Sequence, residues 1–156
     1  MAPDFVLPAT SGQAVRLYDC KNRKTALLFF FDDKDRSCLD RLSSIAGNYQ
    51  QFLEKGAIIF PITILPLAEA KQLAEGLALP FPILCDQDHS VVRNYRVGQC
   101  SHETHHVCFE VITKVTDPQV LIVDTSGIIR FKHSLCQPGA GPDSETLVKE
   151  CEQALK

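Results

Sequence analysis

The chain has 156 residues, of which 45% are hydrophobic, and it carries a formal net charge of −3. This size and composition are typical of one globular domain with a hydrophobic core, so we expect a single domain over residues 1–156. The slight acidity argues against nucleic-acid binding, and no apolar window of about 18 residues is present to span a membrane, so we expect neither kind of partner.

Seven cysteines are scattered along the sequence. Because their number is odd, at least one is unpaired within the monomer, and their spacing does not match the disulfide framework of a small secreted protein. The first residues have neither the basic start nor the apolar core of a signal peptide. We therefore expect a cytoplasmic protein whose cysteines are mostly thiols, with a homodimer as an open alternative to the monomer.

The predicted elements alternate between strands and helices. In chain order they are a hairpin within residues 5–17, a strand at Thr25–Phe31, a helix from Ser37 to about Lys55, a strand at Ala57–Thr63, a helix at Leu67–Glu75, an extended pair at Ile83–Leu84, a short helix near Asp88, a hairpin of Gln119–Asp124 and Gly127–Lys132, and a helix at Asp143–Leu155. The uninterrupted apolar run Thr25–Phe31 is typical of a central strand buried on both faces. The order predicts the α/β class, with a central mixed sheet flanked by helices and an N-terminal β-hairpin extension.

Cys38 lies where the predicted central strand gives way to a helix. Ser37 and Asp40 fit a capping box, which would place Cys38 at the first helical position. Unpaired backbone N–H groups and the positive end of the helix dipole favour a thiolate there. Arg36 adds positive charge, whereas the carboxylate of Asp35 would raise the thiol pKa. From these residues alone, Cys38 is either a nucleophile or a small buried structural residue.

Four phrases of the sequence resemble the thioredoxin superfamily, and within it the alkyl hydroperoxide reductase/thiol-specific antioxidant (AhpC/TSA) branch, the peroxiredoxins. They are Ala2-Pro3-Asp4-Phe5 with Leu7-Pro8, the run from Leu27 to Cys38, LPFPILCDQDHSVVRNYRV at 79–97, and VLIVDTSGIIR at 120–130. The resemblance implies a thioredoxin-like fold and an antioxidant thiol oxidoreductase. In such an enzyme Cys38 would attack a hydroperoxide or a disulfide, an external thiol would regenerate it, and no cofactor would be required.

The catalytic loop departs from both patterns of the superfamily. The peroxiredoxin loop reads P-x-x-x-T-x-x-C, but Phe31 stands at its proline and Asp35 at its threonine. In the C-x-x-C loop of thioredoxin-like disulfide reductases, Asp35 would occupy the attacking position and Cys38 the resolving one. Pro118 aligns near the peroxiredoxin arginine, and it fits the proline, often cis, that thioredoxin-like folds place beside the redox loop.

The resemblance thus implies catalytic positions for Cys38, Asp35, Arg36 and Pro118, and it predicts a cis peptide bond before Pro118. Substitutes for the missing arginine could be Arg93, Arg96 and Arg130.

Cys85 is the first candidate for a resolving thiol. It follows the third strand, at the end of the sheet where ligands gather in parallel α/β folds. Ser43 occupies the position five residues after Cys38 that carries the resolving cysteine in some relatives. We expect structural or incidental roles for the cysteines Cys20, Cys136 and Cys151.

The segment 99–117 is longer than the usual connection at this point of the family, and we treat it as an insertion. On a helix its three histidines would share one face, and together with a cysteine they could bind zinc or another transition metal. The candidate ligands are Cys100, His102, His105, His106 and Cys108. A solvated polar loop is the simpler interpretation of the histidine-rich part. In Cys108–Val115 apolar and polar residues alternate, which predicts a strand.

Two functions therefore remain open. The first is a peroxiredoxin-like oxidoreductase that uses Cys38 as its one loop thiol. The second is a redox-inactive thioredoxin-fold binding or sensing protein, in which the insertion provides contacts to a partner or a metal. Titration of Cys38 with a thiol-reactive probe against pH, alongside Cys38→Ser, separates them, since an ordinary thiol without peroxide-dependent sulfenylation favours the second. A sulfur that is sealed from solvent or inert to oxidant also counts against catalysis.

Overall fold

The structure is a computed structural model that describes residues 2–31, 36–88, 90–91, 95, 119–134 and 144–154. Its elements are β1 (Val6–Pro8), β2 (Ala14–Arg16), a 3-10 helix (Leu17–Cys20), β3 (Thr25–Phe30), α1 (Arg36–Gly47), α2 (Tyr49–Glu54), β4 (Ala57–Thr63), α3 (Leu67–Gly76), β5 (Leu84–Cys85), β6 (Gln119–Val123), β7 (Ile129–Ser134) and α4 (Ser144–Ala154). This order confirms the predicted α/β class.

The main sheet has five strands in the order β5-β4-β3-β6-β7. Strands β3, β4 and β5 run parallel, whereas β6 and β7 each run antiparallel to their neighbours, so the sheet is mixed as predicted. All six residues of β3 are buried, in agreement with the apolar run that predicted a central strand. Phe29 of β3 pairs with Val120 of β6, which confirms that these two segments are neighbouring strands.

The helix predicted from Ser37 to about Lys55 is two helices. The chain leaves the helical conformation at Asn48, which has φ −109° and ψ 16°. The Asn48 side-chain amide donates to the carbonyl of Ser44 at 2.9 Å. Gly47 and Asn48 both favour the break, because glycine lacks a side chain that restricts the backbone and asparagine competes for backbone hydrogen bonds. The predicted stop at Gly56 is correct, since this residue has φ 72° just before β4.

The alternation of side chains along β3 divides the core between the two faces of the sheet. Leu27 and Phe29 face a core shared with residues of helices α1, α2, α3 and α4. Leu28 and Phe30 face a second core, which contains Leu7 and other residues of the N-terminal β-hairpin. The hairpin of β1 and β2 therefore covers the back of the sheet.

Several predictions lie outside the described residues. These are the insertion at 99–117 with its predicted strand, the peptide bond before Pro118, and most of the short helix near Asp88, of which Ser90 and Val91 are seen as helical. Among the helices in the described ranges, none is both long and apolar enough to cross a bilayer.

Candidate functional site

The carboxyl ends of β3, β4 and β5 meet at one edge of the sheet. Thr63 at the end of β4 pairs with Cys85 at the end of β5, and the backbone N–H of Phe31 donates to Ile62 of β4 at 3.2 Å. Phe31 and Cys85 both belong to the core under the helices, so Phe31, Thr63 and Cys85 lie side by side on that face. We call these three residues the carboxyl edge.

Cys38 packs onto the same core from the first turn of α1. Helix α1 begins at Arg36, so Cys38 is the third helical residue, and the predicted N-cap Ser37 lies inside the helix. Helix ends often differ by a residue or two from expectation, because the N–H groups of the first turn have no acceptor within the helix and do not fix where it begins. Cys38, Leu42 and Ile45 form one buried stripe in the core that contains the carboxyl edge.

The Cys38 side chain is sealed from solvent, with 1% of its residue surface exposed. This differs from the accessible nucleophile expected for the enzymatic interpretation. The physical reason is the helical spacing, since a residue four positions before the fully buried Leu42 faces the same core.

Arg36 does not contact this buried region. Its side chain is 90% exposed, and its Nε lies 3.6 Å from Oδ1 of Asp40 one turn later. Two residues along a helix rotate a side chain by about 200°, which places Arg36 on the face opposite Cys38. Water screens an exposed ion pair of this kind, so the pair contributes little to the stability of the fold. The structure therefore does not bring the guanidinium to the thiol as the sequence suggested.

The other predicted catalytic residues, Asp35 and Pro118, lie outside the described residues. Gln119, which follows Pro118 in the sequence, pairs with Phe30 at the end of β3. This pairing is the one required for Pro118 to approach the redox loop, and the role of Pro118 there stays a prediction. The same holds for Asp35.

Cys85 is the thiol of the carboxyl edge. It is 1% exposed, and burial raises its pKa to about 11. The residue after it, Asp86, donates its backbone N–H to the carbonyl of Thr63 at 2.7 Å and accepts from the N–H of Val91 at 3.2 Å. These bonds hold the end of β5 beside β4.

Two other cysteines are described: Cys20 lies just before β3, and Cys151 lies in α4 and belongs to the same buried core as Cys38. Cys20 precedes the first residue of β3 and is half-buried, and burial raises the pKa of its thiol. Cys151 lies next to Glu152, whose carboxylate is 3.5 Å from Lys55 just before β4 begins. Burial raises the pKa of Cys151 to about 12, which is consistent with the structural role predicted for it.

Arg130 cannot replace the arginine of the family at this site. Its Nε donates to Asp124 at 2.5 Å in the turn between β6 and β7, at the edge opposite Cys38. The two remaining candidates, Arg93 and Arg96, lie outside the described residues.

Thr63 is a residue of the site that the sequence did not single out. Its side chain is buried with 1% exposure, and its hydroxyl accepts from the N–H of Leu65 at 3.4 Å. The sequence feature that could have identified it is a hydroxyl residue at the end of the apolar strand Ala57–Thr63. In parallel α/β folds ligands bind at this end of the strands. Thr63 places a polar atom within the carboxyl edge.

Within the described ranges, no group of three or more His, Cys, Asp or Glu side chains is placed to bind a metal ion. The predicted ligands Cys100, His102, His105, His106 and Cys108 all lie outside those ranges. The metal site of the insertion therefore stays a prediction.

The sequence is similar to a known protein family and to individual proteins of that family. The sequence model of the AhpC/TSA family matches residues 1–132. Chloroplastic peroxiredoxin Q of Arabidopsis thaliana is 28% identical over 130 residues, which are 83% of this chain and 56% of that protein. Peroxiredoxin Bcp of Bacillus subtilis is 26% identical over 96 residues, 62% of this chain and 61% of that protein. The chain thus spans a little over half the length of these relatives.

Solved structures are similar over nearly the whole chain. Peroxidoxin BcpB from Mycobacterium tuberculosis superposes with a TM-score of 0.78 at 18% identity, covering 99% of this chain and 95% of that one. A bacterioferritin comigratory protein from Xanthomonas campestris gives a TM-score of 0.80 at 12% identity, covering 97% and 92%. At such low identity the likeness concerns the fold.

Proposed function

Because this chain belongs to the AhpC/TSA family and has the thioredoxin-like fold predicted from its sequence, we propose that it is a thiol-dependent peroxidase acting through Cys38. The observation that carries the proposal is the position of Cys38 in the first turn of α1, the helix that follows the central strand. Backbone N–H groups and the helix dipole stabilise an anion at that position. The substrate is a hydroperoxide, the reductant is an external thiol, and no cofactor is required.

The chemistry needs one sulfur and two thiol equivalents. The Cys38 thiolate attacks one peroxide oxygen, the O–O bond breaks, and the alkoxide or hydroxide takes a proton and leaves as alcohol or water. Cys38 becomes a sulfenic acid, which a thiol converts to a disulfide with loss of water. Thiol–disulfide exchange then returns Cys38 to its reduced form, and the same step would allow it to act on a disulfide substrate.

The test is peroxide consumption by the purified protein with a thiol reductant in excess. Cys38→Ser should reduce the rate to that of reductant alone, because the nucleophile is lost. Cys151→Ser is the matched control, since Cys151 is as buried as Cys38 but lies near the end of α4 and not at a helix N-terminus, so this variant should keep the activity. Equal rates for the wild type and Cys38→Ser would contradict the proposal.

A second candidate is the binding or sensing protein on a redox-inactive scaffold. The 1% exposure of Cys38 favours it, as do Phe31 and Asp35 at the proline and threonine of the family loop. The two candidates differ in the ionisation of one thiol. Alkylation of Cys38 measured against pH should show a depressed pKa for the peroxidase and an ordinary thiol, inert to peroxide, for the binding protein.

The setting of the protein is also a proposal. We place it in the cytoplasm, because seven scattered cysteines suit a reducing compartment, and imaging of a tagged protein would test this.

We treat residues 1–156 as one domain with an insertion at about 99–117. The homodimer stays an open prediction, which sedimentation of the reduced and oxidised protein would decide.

A further inference from the structure

Thr63 brings a hydroxyl group to the carboxyl edge, where its neighbours are Phe31 and Cys85. Ala57 and Ile59 of β4 belong to the core under the helices, and side chains alternate along a strand, so Thr63 points to the same face. Only 1% of its surface is exposed. A buried hydroxyl therefore lies on the face of the sheet against which Cys38 packs.

The Thr63 hydroxyl has a proton to donate. Its oxygen accepts from the backbone N–H of Leu65 at 3.4 Å, and no described residue accepts the Thr63 O–H. A hydroxyl can donate one hydrogen bond while it accepts others, so the contact with Leu65 leaves the donor available. Because this O–H is already removed from water, an oxygen that enters the core beside it gains a partner without a further loss of hydration.

The first turn of α1 holds Cys38 near this hydroxyl. The connection from Phe31 to α1 comprises residues 32–35 and reaches at most about 18 Å when extended, so α1 begins close to the carboxyl end of β3. Cys38 is buried in the core that contains Phe31 and Cys85, the two neighbours of Thr63. Arg36, a charged donor close to Cys38 in the sequence, points outward to Asp40 instead.

Oxidation adds an oxygen to a sulfur that is sealed from solvent. In the proposed reaction the Cys38 sulfur keeps one peroxide oxygen as S–OH, and the other oxygen leaves as alcohol or water. An oxygen buried without a hydrogen-bond partner is costly, so a core that accommodates S–OH must offer a donor.

We propose that the Thr63 hydroxyl donates a hydrogen bond to the oxygen that oxidation adds to Cys38, and thereby holds the sulfenic acid inside the core. The proposal rests on the proposed peroxidase function, in which the hydroperoxide is the oxidant. Because the hydrogen bond needs the added oxygen, it stabilises the buried state of the oxidised protein and leaves that of the reduced protein unchanged.

The experiment compares the full-length wild type with Thr63→Val, which keeps the shape of the side chain and removes the hydroxyl. After one equivalent of hydrogen peroxide, a dimedone-type probe should trap the Cys38 sulfenic acid about tenfold faster in Thr63→Val, as expected for the loss of one buried hydrogen bond. Alkylation of Cys38 in the reduced proteins should proceed at equal rates. Both rates are read by peptide mass spectrometry, and Thr63→Ser, which restores the hydroxyl, should behave as the wild type.

Thr25→Val is the matched control. Thr25 is fully buried and pairs with Ala57 at the start of β3 and β4, on the same face of the sheet as Thr63. At a rise of about 3.3 Å per residue the two threonines lie about 20 Å apart along the strands. The Thr25 hydroxyl finds no hydrogen-bond partner among the described residues, so its removal should change neither rate.

The outcomes separate this proposal from the peroxidase function. Equal trapping in the wild type and Thr63→Val would overturn the role of Thr63 and leave the peroxidase intact. Acceleration of both trapping and alkylation would also overturn it, because a merely loosened core exposes the reduced and the oxidised sulfur alike. Absence of sulfenic acid at Cys38 in every protein would overturn both proposals. Thr63→Ala replaces the valine variant if circular dichroism shows that the latter is unfolded.

Discussion

At the scale of single residues, the charges around Cys38 decide whether its sulfur ionises. The Arg36 side chain points outward to Asp40, so its positive charge is screened by solvent. The helix N-terminus is a favourable influence on a thiolate at Cys38, whereas Asp35 is an acidic residue three positions earlier in the sequence. The family places a hydroxyl residue at that position, which carries no charge to oppose a thiolate.

Replacing Asp35 with threonine should increase the reactivity of Cys38. Removal of a nearby carboxylate lowers a thiol pKa by about one unit, which corresponds to about a tenfold larger thiolate fraction at neutral pH. The measurement is the pH dependence of Cys38 alkylation, read by peptide mass spectrometry. Asp40→Asn is the control, because its carboxylate is exposed and should leave the pKa of Cys38 unchanged. An equal effect of both substitutions would indicate a nonspecific charge effect.

At the scale of elements, the turn between β6 and β7 is organised by one carboxylate. Asp124 accepts from the backbone N–H groups of Ser126 and Ile128, each at 2.9 Å, and from Arg130 Nε at 2.5 Å. Burial alone would raise the pKa of Asp124, but the hydrogen bonds from Ile128, Arg130 and Ser126 hold it below its usual value. The turn was predicted from Thr125-Ser126, and the Asp124 network explains its shape.

Asp124→Ala should lower the free energy of unfolding at pH 7 by about 2–3 kcal/mol, since a buried charge-assisted network is lost. Because the folded pKa lies below the unfolded value near 3.8, this contribution is complete above that value and disappears as the pH falls through the folded pKa. Urea unfolding of the wild type and Asp124→Ala at pH 7 and at progressively lower pH should show that the difference between their free energies of unfolding becomes smaller. Ser126→Ala, which keeps the backbone N–H, should have little effect at either pH, and a constant difference across pH would contradict this account.

At the scale of the whole molecule, the N-terminal hairpin and the sheet form one packed body. Leu7 is buried in the core on the back of the sheet, together with Leu28 and Phe30 of β3. Backbone and side-chain hydrogen bonds also tie the N-terminal segment down, including Ala2 N–H to Gly127 at 2.7 Å and the Tyr95 hydroxyl to the carbonyl of Pro3 at 2.5 Å. The hairpin should therefore unfold with the sheet.

Leu7→Ala should destabilise the whole molecule by about 2–4 kcal/mol, as large-to-small changes in a core do. Hydrogen exchange of the β6 amides should accelerate by the amount that global unfolding predicts, because the cores are continuous with the central strand. Val6→Ala is the matched control, since Val6 is adjacent on the strand but 61% exposed, and its effect should stay within about 0.5 kcal/mol. Unchanged exchange in β6 for Leu7→Ala would show that the hairpin unfolds independently.

Much of the fold follows from local patterns in the sequence. The apolar run of β3, the Gly56 stop before β4 and the turn between β6 and β7 are each specified by neighbouring residues, and the structure contains all three. The break at Asn48 was missed because the apolar period continues through it, while the competing side-chain hydrogen bond is a short-range detail. Family membership also followed from local phrases.

The composition of the site depends on contacts between distant parts of the chain. Sequence could name Cys38 and Cys85, but the pairing of β4 with β5 places Cys85 at the carboxyl edge, and the packing of α1 brings Cys38 into the same core. The outward direction of Arg36, the burial of Cys38 and the pairing of Arg130 with Asp124 likewise depend on helix phase and strand direction. Local sequence sets which element forms, whereas only packing in three dimensions sets which side chains meet, since a shift of one residue turns a side chain to another face.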